Sequence, residues 1–158
     1  AGLPQGATIV DATFYFTSAD TYAATPNVVK YYVSADDRDA PSALTATNGD
    51  LSGTNRPRTT ASGVIDMSIA VTNTEYSVDV TASIQEIANR ASWAGTSDLV
   101  MLVDTHPDTT NGEWQIFYTY GGDSSKVGRI VINYTTGTPA ALAKPVKTVQ
   151  SVKRAAFF

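Results

Sequence analysis

The loop "DTHPDTTNGEW", residues 104 to 114, holds the clearest candidate for a chemical site in this 158-residue chain. His106, the single histidine, lies between Asp104 and Asp108. A histidine oriented by a carboxylate can act as a general base or bind a metal. The chain has no cysteine, and no serine stands in the setting of an activated nucleophile. A lone histidine before a proline in a loop is expected to be exposed rather than catalytic, so the sequence predicts a protein that is not an enzyme.

The same loop carries oxygen ligands of the kind that Ca²⁺ prefers. They are Asp104, Asp108, Asn111 and Glu113. Their spacing does not match an EF-hand, and Asp and Asn also favour turns by hydrogen-bonding their own backbone. A second acidic group has the same two interpretations: Asp36, Asp37 and Asp39. We interpret both groups as turn chemistry first, with a structural calcium as the alternative and no other cofactor expected.

Three aromatic residues that follow the loop are a candidate binding surface. In "EWQIFYTY" the side chains of Trp114, Tyr118 and Tyr120 share one face of a predicted strand. An exposed aromatic face on a flat sheet can stack on sugar rings. The alternative, which we favour, is that this stripe faces the protein core.

Charge is distributed unevenly along the chain. All fifteen acidic residues lie at or before Asp123, whereas the last fifteen residues contain four basic residues and no acid. The remainder therefore has seven basic against fifteen acidic side chains, a net charge of −8. This excess of negative charge argues against nucleic acid as a partner, because phosphate binding requires cations. No apolar run approaches the roughly 18 residues of a membrane span, so none is predicted.

Hydrophobic periodicity predicts an all-β protein with one helix. Seven runs are strand-like: residues 7–17, 27–35, 61–71, 75–80, 97–103, 113–120 and 127–134. In the first, alternation assigns the core face to Val10, Ala12, Phe14 and Phe16. Seven strands around one helix indicate a two-sheet sandwich, in which the helix covers an open end and carries the chain between sheets.

The predicted helix spans about residues 82–91. Its apolar stripe has helical spacing and consists of Ile84, Ile87, Ala88 and Ala91. Ser83 and Glu86 match a capping box, with Thr81 as the alternative N-cap. Trp93, which follows the helix, is expected in the core.

The chain divides into a β-sandwich domain, residues 1–135, and an extended basic and apolar C-terminal arm, residues 136–158. Six residues of the arm are predicted to dock on a partner: Lys144, Lys147, Lys153, Arg154, Phe157 and Phe158. Cations would steer the arm to an acidic surface, and the phenylalanines would fill a pocket. The alternative is a disordered end.

Four segments together resemble a known family: "LPQGATIVDATFYF", "RTTASGVIDM", "DVTASIQEIANRASWAGTSDLVMLV" and "GRIVINY". Over about residues 3–134 the chain resembles the DNRLRE-type, carbohydrate-binding-module-like jelly-roll β-sandwich domain, which also occurs in structural proteins of tailed phages. The resemblance implies a jelly-roll fold. The family normally has further strands before "PQGATI", so the resemblance also implies an open sheet edge that another segment or protein must cover.

These observations favour a structural or assembly protein that binds copies of itself or other structural proteins. Its concrete form would be a virion component, in a capsid decoration, tail or fibre. The alternative is a carbohydrate-binding module of a secreted or cell-surface bacterial protein, with glycans as partners. Both predict a location in a virion or outside the cell.

Overall fold

The computed structural model describes residues 2–21, 27–42, 55–110, 116–117 and 125–136 in full. It describes residues 22–23, 146–150 and 155–157 as backbone strands. Within these residues ten strands and one helix form in this order: β1 (Thr8–Thr17), β2 (Tyr22–Ala23), β3 (Lys30–Ala35), β4 (Gly63–Asp66), β5 (Ile69–Ala70), β6 (Glu75–Asp79), α1 (Thr81–Asn89), β7 (Met101–Thr105), β8 (Arg129–Thr135), β9 (Val146–Gln150) and β10 (Ala155–Phe157).

The strands form two four-stranded sheets and one short ribbon. Sheet 1 has the order β6-β1-β8-β9 and is antiparallel throughout. Sheet 2 has the order β10-β7-β3-β4 and is antiparallel except for the parallel pair β10–β7. The strands β2 and β5 form the ribbon. The prediction of an all-β protein with one short helix is confirmed.

One hydrophobic core lies between the two sheets and the helix. It contains alternate residues of both sheets, among them Phe14, Phe16, Ile130, Ile132, Tyr31, Val33, Met101 and Val103. The ring of Phe117 connects the two sets, because its centroid lies 5.0 Å from that of Phe16 and 5.6 Å from that of Tyr31. Such edge-on aromatic contacts add to the stabilisation that burial of apolar area provides.

The core face of β1 differs from the predicted one at its start. Ala12, Phe14 and Phe16 are buried as expected, but Val10 is 55% exposed and Ile9 takes its place in the core. The pairing of β1 with β8 is irregular between Ile9 and Asp11, as in a β-bulge. A bulge inserts one residue and reverses the alternation, which strict period-two reasoning does not anticipate.

The helix α1 carries the chain from β6 in sheet 1 to β7 in sheet 2 and packs against β1 and β3. Ile84, Ile87 and Ala88 are fully buried, as the stripe predicted. The helix ends two residues earlier than expected, at Asn89, so Ala91 lies beyond it and is exposed.

The predicted capping box is wrong. The Ser83 hydroxyl donates to the Ala61 carbonyl at 2.6 Å, and the Glu86 carboxylate accepts the N–H groups of Thr60 and Ala61, both at 2.7 Å. Both side chains therefore hold the segment before β4 instead of the helix end. The N-cap is Val80, which makes no side-chain capping hydrogen bond, so the alternative N-cap Thr81 is also wrong. Asp79 accepts the N–H and hydroxyl of Thr81, the first helical residue, and these hydrogen bonds lower the pKa of Asp79.

The N-terminal segment binds the other end of the helix. Gly6 N–H donates to the Ala88 carbonyl at 2.7 Å, and the Gln5 amide donates to the carbonyls of Arg90 and Ala91. The Trp93 indole N–H donates to the Leu3 carbonyl at 2.8 Å, and Trp93 is buried as predicted. Residues 5 and 6 thus bind one carbonyl of the last helical turn, of the kind that a helix end leaves without a partner, and two carbonyls just after the helix.

We expect Ile87→Ala to lower the free energy of unfolding by about 2–5 kcal/mol, since Ile87 is fully buried and its truncation leaves a cavity. Asn89→Ala, at an exposed position of the same helix, is the control and should change stability by less than about 0.5 kcal/mol. Urea denaturation followed by circular dichroism measures both. Equal midpoints for the two variants would contradict the position of the helix.

Candidate interaction surface

The two sheets share a core and are closed differently along their two long sides. On one side the edge strands β4 and β6 touch. A Cβ atom at Gly63 of β4 would lie 2.3 Å from the Asp79 carbonyl oxygen and 2.5 Å from Cγ2 of Val78, both in β6. Only glycine permits this approach of the two backbones. This side is therefore closed without the C-terminal arm.

On the opposite side the edges are formed by the C-terminal segment. β9 pairs with β8 at the edge of sheet 1, with Val131 opposite Val149 and Asn133 opposite Lys147. β10 pairs with β7 at the edge of sheet 2, with Leu102 opposite Ala156. Without these two strands, β8 and β7 would be edges with unpaired backbone groups on the same side of the molecule.

The connections around β9 have very different lengths. Ten residues, 136–145, separate β8 from β9, although an antiparallel pair requires only about two to five. Four residues, 151–154, separate β9 from β10. They allow at most about 18 Å between Gln150 and Ala155, which is enough to cross between sheets about 10 Å apart.

Two polar side chains, from β1 and β8, bind each other on the outer face of sheet 1 next to β9. Asp11, Asn133 and Lys147 occupy neighbouring register positions on β1, β8 and β9. The Asn133 amide donates to both carboxylate oxygens of Asp11, at 2.8 and 2.9 Å. The Asn133 carbonyl oxygen is buried and accepts no hydrogen bond. An unsatisfied buried acceptor of this kind costs about 1–3 kcal/mol.

A buried ion pair connects the end of β3 to the residues that precede β4. The Arg56 guanidinium donates to the Asp36 carboxylate at 2.9 Å, and both side chains are fully buried. Arg38 donates to the same carboxylate through Nε at 2.8 Å. Two arginines therefore neutralise one carboxylate that burial would otherwise penalise strongly.

Neighbouring ion pairs extend this network to sheet 2 and to the end of the helix. Arg58 donates to both oxygens of Asp104 at 2.7 and 2.9 Å, and this hydrogen bonding raises the pKa of Arg58. Arg90 donates to Asp39 at 2.7 Å and to Asp37, and the hydrogen bond to Asp39 is the main cause of its raised pKa. Bidentate pairs of this type fix geometry as well as charge.

The two acidic groups proposed for calcium are thus bound by cations where the structure describes them. Asp36, Asp37 and Asp39 each contact an arginine. Asp104 binds Arg58, and Asp108 lies 3.3 Å from the Lys30 ammonium. Asn111 and Glu113 lie outside the described residues, so the calcium site stays a prediction. Among the described residues, no three His, Asp or Glu side chains are grouped as metal ligands.

The His106 side chain packs against the neighbouring strand β3. Its ring lies 4.3 Å from that of Tyr32, and its Nδ1 accepts the N–H of Asp108 at 3.0 Å. The side chain is 15% exposed, less than a free loop histidine. The expectation of an exposed histidine was wrong, because the ring packs against Tyr32 of β3.

The proposed aromatic surface is described only in part. Trp114, Tyr118 and Tyr120 lie outside the described residues. Ile116, which alternation assigns to the same face, is 41% exposed, whereas Phe117 is buried in the core and bridges to Ser18.

Most of the predicted docking residues also lie outside the described part of the chain: Lys144, Lys153, Arg154 and Phe158. Lys147 belongs to β9 and Phe157 to β10, for which the backbone pairing is described. Sequence reasoning missed Arg56, Arg58 and Asn133, and it assigned Glu86 to a capping box instead of the segment before β4. A usable signal existed for the first two, because "RPR" places two cations on one face of an extended segment.

Comparison of the chain with protein-family models, with curated proteins and with solved structures finds no match in any of the three. In the described part of the chain, no helix has the length and apolar character needed to cross a bilayer.

We expect Arg56→Met to lower the free energy of unfolding by about 3–5 kcal/mol, because it removes one partner of a buried ion pair. Arg129→Met is the control, since the Arg129–Glu75 pair is 41% and 49% exposed. It should cost less than about 1.5 kcal/mol, including the contact of Arg129 with the Tyr15 ring. Chemical denaturation of both variants measures the difference, and similar losses would contradict the role assigned to Arg56.

Proposed function

We propose that this chain is a non-enzymatic structural or assembly protein that docks on neighbouring subunits through its sheet edges and its C-terminal arm. The observation that carries the proposal is the pairing of β9 and β10 with β8 and β7, on the same side of the two sheets. Both edges are completed by one terminal segment, after a connection longer than local pairing requires. An acceptor edge of this kind can equally be completed by a strand from another chain.

Electrostatics supports the same proposal. The arm carries four cations, whereas the rest of the chain has a net charge of −8. In sheet 1 the register brings Lys147 next to Asn133, which itself binds Asp11. Opposite charge increases the rate at which an arm meets its acceptor and disfavours partners of the wrong sign.

We further propose that the fold is a jelly-roll sandwich and the protein a virion component, as a capsid decoration, tail or fibre subunit, with a location in the virion or outside the cell. The resemblance of residues 3–134 to a module of tailed-phage structural proteins supports this version. The two sheets that share one core, with a helix between β6 and β7, are compatible with it. A bacterial surface or filament subunit would use the same contacts.

We expect a chain that ends at residue 143 to fold but to assemble less than the full chain, because it lacks both edge strands. Light scattering after size-exclusion chromatography measures assembly, and circular dichroism measures folding. High salt should slow association of the full chain, since it screens the charge attraction. Assembly of the truncated chain to the same extent as the full chain would overturn the proposal.

Adding the arm back provides a matched control. A synthetic peptide of residues 144–158 should bind the truncated chain, as measured by fluorescence anisotropy. The same peptide with Thr148→Pro and Val149→Pro should not bind. Alternate N–H groups of an edge strand face its neighbour, and the double substitution removes one of them whichever face is used. Equal binding of both peptides would show that strand pairing is not involved.

The second candidate function is carbohydrate binding. The exposure of Ile116, on the face assigned to Trp114, Tyr118 and Tyr120, favours it. Under the leading proposal, a glycan array should show no binding by the intact chain. Binding that Trp114→Ala abolishes, while Trp93→Phe preserves it, would support the carbohydrate-binding module instead.

A further inference from the structure

The connection between β8 and β9 is long enough for the arm to reach a second copy of the chain. The ten residues between Thr135 and Val146 span at most about 40 Å, far more than the roughly 5 Å between paired strands. A connection of this length reaches the edge of an adjacent molecule as well as its own. The contacts that hold β9 in its own chain are therefore equally available in a second copy.

The arm must act as a single unit. Because at most about 18 Å separates Gln150 from Ala155, β9 and β10 cannot be placed on two different neighbours. Both have to occupy one acceptor, with β9 on β8 and β10 on β7. One arm thus joins two chains by adding a strand to each sheet of the acceptor. Its β9 pairs antiparallel with β8 of the acceptor, and its β10 pairs parallel with β7 of the acceptor, as within one chain.

We infer that the partner of the arm is a second copy of this chain, which receives residues 146–157 as a strand-exchanged unit in the register seen within the chain. This inference rests on the proposed function and names its partner. The acceptor edges and the charge excess are the same in every copy, so an arm with four cations meets a complementary surface on each neighbour. Exchange of an identical element is a low-cost route to association.

Concentration decides between the two arrangements. A ten-residue connection gives the arm an effective concentration in its own chain on the order of millimolar. Dilute chains therefore keep their own arm. Chains that fold together at high concentration, as in a growing assembly, exchange it.

Disulfide trapping tests the exchange, because the chain has no cysteine of its own. Val131 and Val149 are register partners, and opposite residues of an antiparallel pair lie within the Cα separation that a disulfide requires. V131C and V149C chains of different mass are refolded together at high and at low concentration and then oxidised. We expect a mixed disulfide dimer that is enriched at least several-fold at high concentration. The pair V131C with T148C is the control, since its residues are out of register, and should give no such enrichment.

A chain with both V131C and V149C separates the possible outcomes. If it forms only an internal disulfide at every concentration and the mixed pair gives none, exchange between copies is overturned. The proposed function then still stands if the truncation at residue 143 weakens assembly. If neither the double variant nor the mixed pair forms the disulfide, the β8–β9 register is wrong. The proposed function then fails as well, because it rests on this strand pairing.

Discussion

A core shared by two sheets has to be closed along both of their long sides, and the architecture of this protein depends on how that is done. On one side the backbones of β4 and β6 approach so closely that Gly63 has no room for a side chain. On the other side, β9 and β10 complete the two sheets as their last strands. The first closure is built from residues within the body, whereas the second uses a segment at the end of the chain. We propose that this asymmetry makes the second side exchangeable between copies.

The described parts of the segment between β3 and β4, residues 36–42 and 55–62, are attached by ion pairs and hydrogen bonds. Asp36 and Arg56 are fully buried, and burial of an unpaired member would be costly. Glu86 and Ser83 hold residues 60 and 61 from the helix side. The helix therefore makes two kinds of contact. Ile84 and Ile87 fill the core, whereas Ser83 and Glu86 position the residues that precede β4.

An exposed strand edge is a hazard for a protein that must stay monomeric and an advantage for one that assembles. Under the proposed exchange the same strand pairing would serve both needs, because an arm that covers its own edges protects them until a neighbour takes its place. The uneven charge of the chain would favour the approach of a basic arm to an acidic body. The ion pairs of Arg58 with Asp104 and of Arg90 with Asp37 join residues of the body.

Local patterns in the sequence determined much of the fold. Alternation located β1, β3, β4, β6 and β8, and a nearly unbroken apolar run located β7. Helical spacing located α1 with its buried Ile84 and Ile87. These features depend on neighbours a few residues apart, so periodicity reveals them. The tertiary structure alone decided which residues meet across the chain. It put Ile9 in the core in place of Val10 through a bulge, and it turned Ser83 and Glu86 away from capping. It also paired Arg56 with Asp36 and placed β9 and β10 along two sheet edges. The physical reason is that these contacts join segments far apart in sequence, and their partners are selected by the packing of the whole chain and not by local spacing.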